Sequence, residues 1–84
     1  MTPKLPAITG NQLIKLLKRD DWFEVRRTNH GASLAKQFRT RKRVTVVPTK
    51  NESLPIGTLS AILGPKQTGL GKTGLQKLLE KFGI

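Results

Sequence analysis

The sequence predicts an α+β fold, a three-stranded antiparallel sheet with helices on one face, in the order α-β-β-β-α with one short helix appended. Three observations lead there. Apolar residues recur at helical spacing towards both ends, and three short strand-like runs follow one another through tight connections between them. With 84 residues and no cysteine, the chain must hold by packing its apolar faces into one shared core. Helices on one side of such a sheet leave its other side free for a ligand.

Each element has its own signal. Thr9-Gly10-Asn11-Gln12 has the form of a capping box and runs directly into Leu13, Ile14, Leu16 and Leu17, which predicts a first helix over 10–19. Leu13, Leu16 and Leu17 make its core stripe, and Lys18 and Arg19 suit its negative C-terminal end. Asp20-Asp21 breaks the pattern. Over 22–27 the residues alternate weakly, with Phe23 and Val25 on one side and Trp22, Glu24 and Arg26 on the other, as in a half-buried strand. Thr28-Asn29-His30-Gly31 supplies turn chemistry. A second strand over 32–38 puts Ala32, Leu34, Lys36 and Phe38 on one face, and the β-branched Val44-Thr45-Val46-Val47 makes a third. Residues 48–55 are a polar, proline-bounded loop. Ile56, Leu59, Ile62 and Leu63 then recur as a second helix, with Pro55 in its first turn and Gly64-Pro65 as its stop. Residues 64–72 read as a Gly-rich flexible linker. Thr73-Gly74-Leu75-Gln76 repeats the capping-box form before Leu78, Leu79 and Phe82, giving a last helix over 73–82. The whole chain, 1–84, reads as one domain with a core of about 7–64.

Charge then limits the function. Sixteen Lys and Arg against five Asp and Glu give +11, far more than solubility requires, so the expected partner is a polyanion. A membrane surface fits less well, because the helices are short and lack an aromatic-rich apolar face. Met1–Ile8 is broken by Pro3 and Pro6, and no apolar run approaches a signal segment or a membrane span, so the chain reads as cytoplasmic. One His and no Cys exclude a Cys/His zinc cluster, and the scattered acids disfavour a two-metal nuclease; no metal or cofactor is expected. Gly71-Lys72-Thr73 looks like the end of a phosphate-binding loop, but Lys66 stands where that pattern needs its first Gly, and no βαβ unit surrounds it.

The candidate site joins one imidazole to a basic surface. Lys36, Arg39, Arg41, Lys42 and Arg43 fall within eight positions, and Arg26 and Arg27 on the first strand are expected to join them. His30 sits in the turn between Arg26 and Arg27 before it and Lys36 after it. An imidazole is the side chain suited to proton transfer at neutral pH. RNA needs little else, since its own 2′-OH is the nucleophile and Arg or Lys can neutralise the charge that grows on the phosphate. Two other classes fit the same charge: a non-catalytic RNA-binding module, and a basic DNA-binding or ribosome-associated protein.

Ile8-Thr9-Gly10 opening the first helix, Trp22 after it, Val25-Arg26 leading to a turn that ends in His30, the Val44-Thr45-Val46 strand and Leu54-Pro55-x-Gly57-Thr58-Leu59-x-x-Ile62-Leu63 together resemble the HicA toxin family of messenger-RNA interferases, over about residues 7–64. The resemblance implies a fold like that of double-stranded-RNA-binding domains. It also implies ribosome-independent cleavage of mRNA by the His at the position of His30, and neutralisation by a cognate acidic HicB-type antitoxin that covers this site. Where the family usually carries Gly-Ser-His, this chain has Thr28-Asn29-His30-Gly31. The segment after Gly64 extends beyond shorter members.

Overall fold

The computed structural model describes residues 7–49 and 51–83; the proline-broken segment read over Met1–Ile8 lies outside them up to Pro6. In chain order the elements are α1 (Gly10–Arg19), β1 (Phe23–Thr28), β2 (Gly31–Gln37), β3 (Lys42–Val47), α2 (Ile56–Leu63) and α3 (Gly71–Phe82). The strands form one antiparallel sheet in the order β1-β2-β3, so the predicted α+β meander is the observed fold.

α1 begins where its capping box predicts. The Thr9 hydroxyl accepts the Gln12 N–H at 3.1 Å, and the Gln12 side chain accepts the Thr9 N–H at 3.0 Å, so two N-terminal donors are satisfied. The helix ends at Asp20, and Asp21 turns the chain with a φ of 69°, a conformation that Asp tolerates better than most side chains. A short connection through Trp22 then starts β1, which places the C-terminus of α1 at the end of the sheet where β1 begins.

Register decides which residues face the helices. Ala32, Leu34, Thr45 and Val47 lie on the inner face and are buried, as the alternation in β2 predicts. Phe23, Ala35 and Val44 form one row across the outer face, and Arg26, Ser33 and Val46 form the next. The expected alternation of β1 fails at one point: the pairing shifts between Glu24 and Arg26, so Arg26 falls on the face of Phe23 rather than that of Glu24. Such a bulge carries an extra residue, which reverses every later side chain in the strand. β1 is exposed along its whole length and is an edge of the sheet.

The core draws on every layer: Leu13, Leu16 and Leu17 from α1, the inner face of the sheet, Leu59, Ile62 and Leu63 from α2, and Leu75 and Leu78 from α3. Burying each such Leu or Ile contributes about 1.5–3 kcal/mol. Ile56 departs from the predicted stripe of α2, being 73% exposed, because it stands in the first turn before the helix reaches the sheet.

The C-terminal third differs most from its sequence reading. α3 begins at Gly71, so Thr73 stands inside the helix and no side chain caps its N-terminus. The segment read as a flexible linker is instead bonded in place. Thr68 is buried and its hydroxyl donates to the Ile62 carbonyl at 2.8 Å, while the Thr45 hydroxyl on β3 donates to Gln67 Oε1 at 2.5 Å. Arg43 reaches the same turn, donating from Nη1 to the carbonyls of Pro65 at 2.7 Å and Gln67 at 3.2 Å. Gly69 allows this close approach, since a Cβ there would meet Nη1 at 3.0 Å and its φ is +68°.

Candidate active site

The hairpin joining β1 to β2 presents His30. Thr28 pairs with Gly31, leaving Asn29 and His30 as the two turn residues. The His30 N–H donates to the Thr28 hydroxyl at 3.2 Å, and that hydroxyl in turn donates to the Gly31 carbonyl at 3.4 Å, so the backbone beneath the imidazole is tied on both sides. His30 itself is exposed. Gly31 follows for a steric reason: a Cβ at this position would sit 2.8 Å from the Val47 carbonyl oxygen and 3.3 Å from a Val46 methyl. Any side chain there would push β3 away from the hairpin.

Both α1 and α2 open towards this end of the molecule. β3 ends at Val47 beside the start of β2, and the following loop brings Leu54 N–H to the Ile8 carbonyl at 2.8 Å and pairs Ser53 with Thr9. Neither helix has an acidic residue in its first turn, so the positive ends of their dipoles are not offset there. Glu52 lies in the loop just before α2.

Of the predicted cations, the structure brings only Arg26 and Arg27 towards His30. Arg26 lies on the outer face, two pairing positions from the turn, about 7 Å along the strand. Among the described residues it has no ion-pair partner. Arg27 points to the inner side, where it meets Glu24 Oε1 at 2.6 Å through Nη2 and at 3.1 Å through Nε. This hydrogen-bonded contact, aided by Lys18 at 3.5 Å, holds the Glu24 carboxyl below its ordinary pKa, and Glu24 in turn raises that of Arg27.

Lys36 does not flank the imidazole. It lies five residues along β2 from Gly31, about 17 Å away, on the inner face. There it pairs with Asp20 at 3.3 Å and sits 5.4 Å from the centre of the Phe38 ring, which also packs edge-on against Trp22 at 6.2 Å. Arg39, Arg41, Lys42 and Arg43 surround the second turn. In an antiparallel meander successive turns fall at opposite ends, so this cluster stands at the far end of the sheet from His30. The single cationic rim expected from the sequence is thus two separate groups.

The sequence offered no direct sign that Arg43 pins the turn before α3 or that Asp20 neutralises Lys36. Strand alternation did hold a partial one, because it placed Lys36 on the same face as Leu34. Among the described residues, no group of three or more His, Asp or Glu side chains could hold a metal ion, and no helix is long and apolar enough to cross a membrane.

Comparison with known proteins bears on what such a surface serves. The model of one protein family, the HicA toxin of bacterial toxin-antitoxin systems, matches residues 10–70. The chain belongs to the HicA toxin family. No curated protein and no solved structure matches it. Membership makes this HicA protein the toxin of a toxin-antitoxin system, with an antitoxin as its partner. The matched region runs from the first residue of α1 to Leu70 and therefore takes in the sheet, the His30 hairpin and the turn held by Arg43, while α3 lies beyond it.

Proposed function

We propose that this HicA toxin is an endoribonuclease that cuts messenger RNA without a metal ion, with His30 as its acid-base group. The reading rests on one observation above all: an exposed imidazole at the apex of a hairpin whose backbone is tied by Thr28, with Arg26, which has no ion-pair partner among the described residues, on the adjoining strand. In the reaction the imidazole takes the proton of a ribose 2′-OH, and the 2′-oxygen bonds to the adjacent phosphorus. The bond from phosphorus to the 5′-oxygen breaks, and the imidazolium returns a proton to that leaving oxygen. The products are a 2′,3′-cyclic phosphate and a 5′-hydroxyl. Arg26 neutralises charge on the phosphate as it develops. Arg39, Arg41, Lys42 and Arg43 grip backbone farther along the strand. Arg27 and Lys36 already face carboxylates and have no part in this step.

The toxin acts in the cytoplasm as one domain, and its partner is an acidic antitoxin of the HicB type that covers His30. Induced expression tests the reading in cells. The wild-type chain should arrest growth and leave RNA fragments with 5′-hydroxyl ends, and His30→Ala should do neither. Arrest that persists in the variant, or fragments ending in 5′-phosphate, would contradict it. Intact RNA retained by the wild-type protein would point instead to a non-catalytic RNA-binding module.

A further inference from the structure

At the end of the sheet away from His30, a shallow cleft of about 430 Å³ is lined by Arg41, Lys42, Arg43, Val44, Pro65 and Lys66. Four of these six residues are cationic and none is acidic. Arg43 is the one the fold holds most firmly. Both hydrogens of its Nη1 go to backbone carbonyls, and its guanidinium lies 5.7 Å from the centre of the Phe38 ring. Nε–H and the two hydrogens of Nη2 remain for another acceptor. Unlike Lys36 and Arg27, it has no carboxylate facing it among the described residues. The turn through Gly69 is shaped around a positive charge that no carboxylate among the described residues neutralises.

We propose that this cleft is a second phosphate-binding site, which takes the backbone of a single RNA strand at a distance from the cut. The distance of the site from the cut rests on His30 being the cleavage centre; the site itself does not. The seven residues of β2 put the two ends of the sheet about 20 Å apart, a distance spanned by about six stacked nucleotides, or fewer if the strand is extended. The outer face between them offers a path. Arg26, Ser33, Phe23 and Lys42 lie along it beside the half-exposed Val44 and Val46, Lys42 stands 5.8 Å from the Phe23 ring centre, and no strand residue on that face is acidic. An aromatic ring amid cations is how a single strand is held without reading its sequence. An acidic protein partner suits the cleft less well, because a protein interface needs an apolar centre and the cleft supplies only Val44 and Pro65.

Binding of uncleavable 2′-O-methyl RNA tests this without relying on catalysis. Wild-type protein should bind a decanucleotide at least about tenfold more tightly than a trinucleotide, since only the longer strand can fill the cleft and the outer-face path together. The double substitution Arg41→Ala, Lys66→Ala removes exposed side chains and should erase most of that difference. It should also make the salt dependence of decanucleotide binding shallower by about 0.7 in log-log slope for each cation removed. Unchanged affinity and slope would overturn the proposal. So would a variant that keeps its RNA affinity but loses binding to polyglutamate, which would assign the cleft to an acidic protein. RNA cleavage with no contribution from the cleft would sink this site and leave the nuclease standing. Binding through the cleft by a protein that cuts nothing would do the reverse.

Discussion

Two residues of the first hairpin show how single positions set the site. Gly31 is required by the approach of β3 and not by its own backbone conformation, because its φ is not in the left-handed region. Gly31→Ala should therefore cost about 1–3 kcal/mol by overpacking against Val47, seen as a lower midpoint in denaturant unfolding. Glu24 offers a second, pH-dependent check. Its folded pKa is lowered, so its pairing with Arg27 stabilises the protein above the unfolded value, about 4.3, and that contribution is lost as pH falls through the folded value. Unfolding midpoints measured from pH 7 downwards should fall less steeply in Glu24→Gln than in wild type once below that point. The exposed setting keeps the effect small.

Among the elements, α3 is the one whose membership in the fold most needs testing, since it lies outside the region that defines the family. Leu75 is fully buried in the same core as α1 and the sheet. Leu75→Ala should cost about 2–5 kcal/mol and leave a single unfolding transition; a separate early transition would mean that α3 folds apart from the rest. Gly69→Ala should also destabilise, because it adds strain at a positive φ and crowds Arg43. The elements were legible in the sequence wherever a local pattern governs them. The capping box at Thr9 gave α1 its first residue, and alternation gave β2 its inner face. What could not be read was set by partners distant in the chain. The bulge in β1 turns Arg26 to the outer face, and bonds from Thr45 and Arg43 tie down a segment whose glycines alone suggest a linker. Thr73 had the right spelling for a cap, but the helix had already begun at Gly71.

For the whole molecule, the sheet sorts its charge into two ends. Taken by sequence proximity, His30 and the cations from Lys36 to Arg43 looked like one site; the meander separates them by the length of a strand. The imidazole and Arg26 form one end, and the Arg43 cleft the other. With +11 overall, an antitoxin that competes with RNA must bring carboxylates to this surface, and its complex should weaken as salt rises if those charges dominate. Titration of the complex across ionic strength reads this directly, and a salt-independent affinity would assign the contact to apolar surface instead. The central claim, that His30 moves the proton that lets RNA cut itself, is tested most directly by cleavage rates of one labelled RNA with purified wild-type and His30→Ala protein in chelator. The account predicts a loss of about 10²–10⁴-fold in rate with RNA affinity largely kept, and equal rates for the two proteins would contradict it.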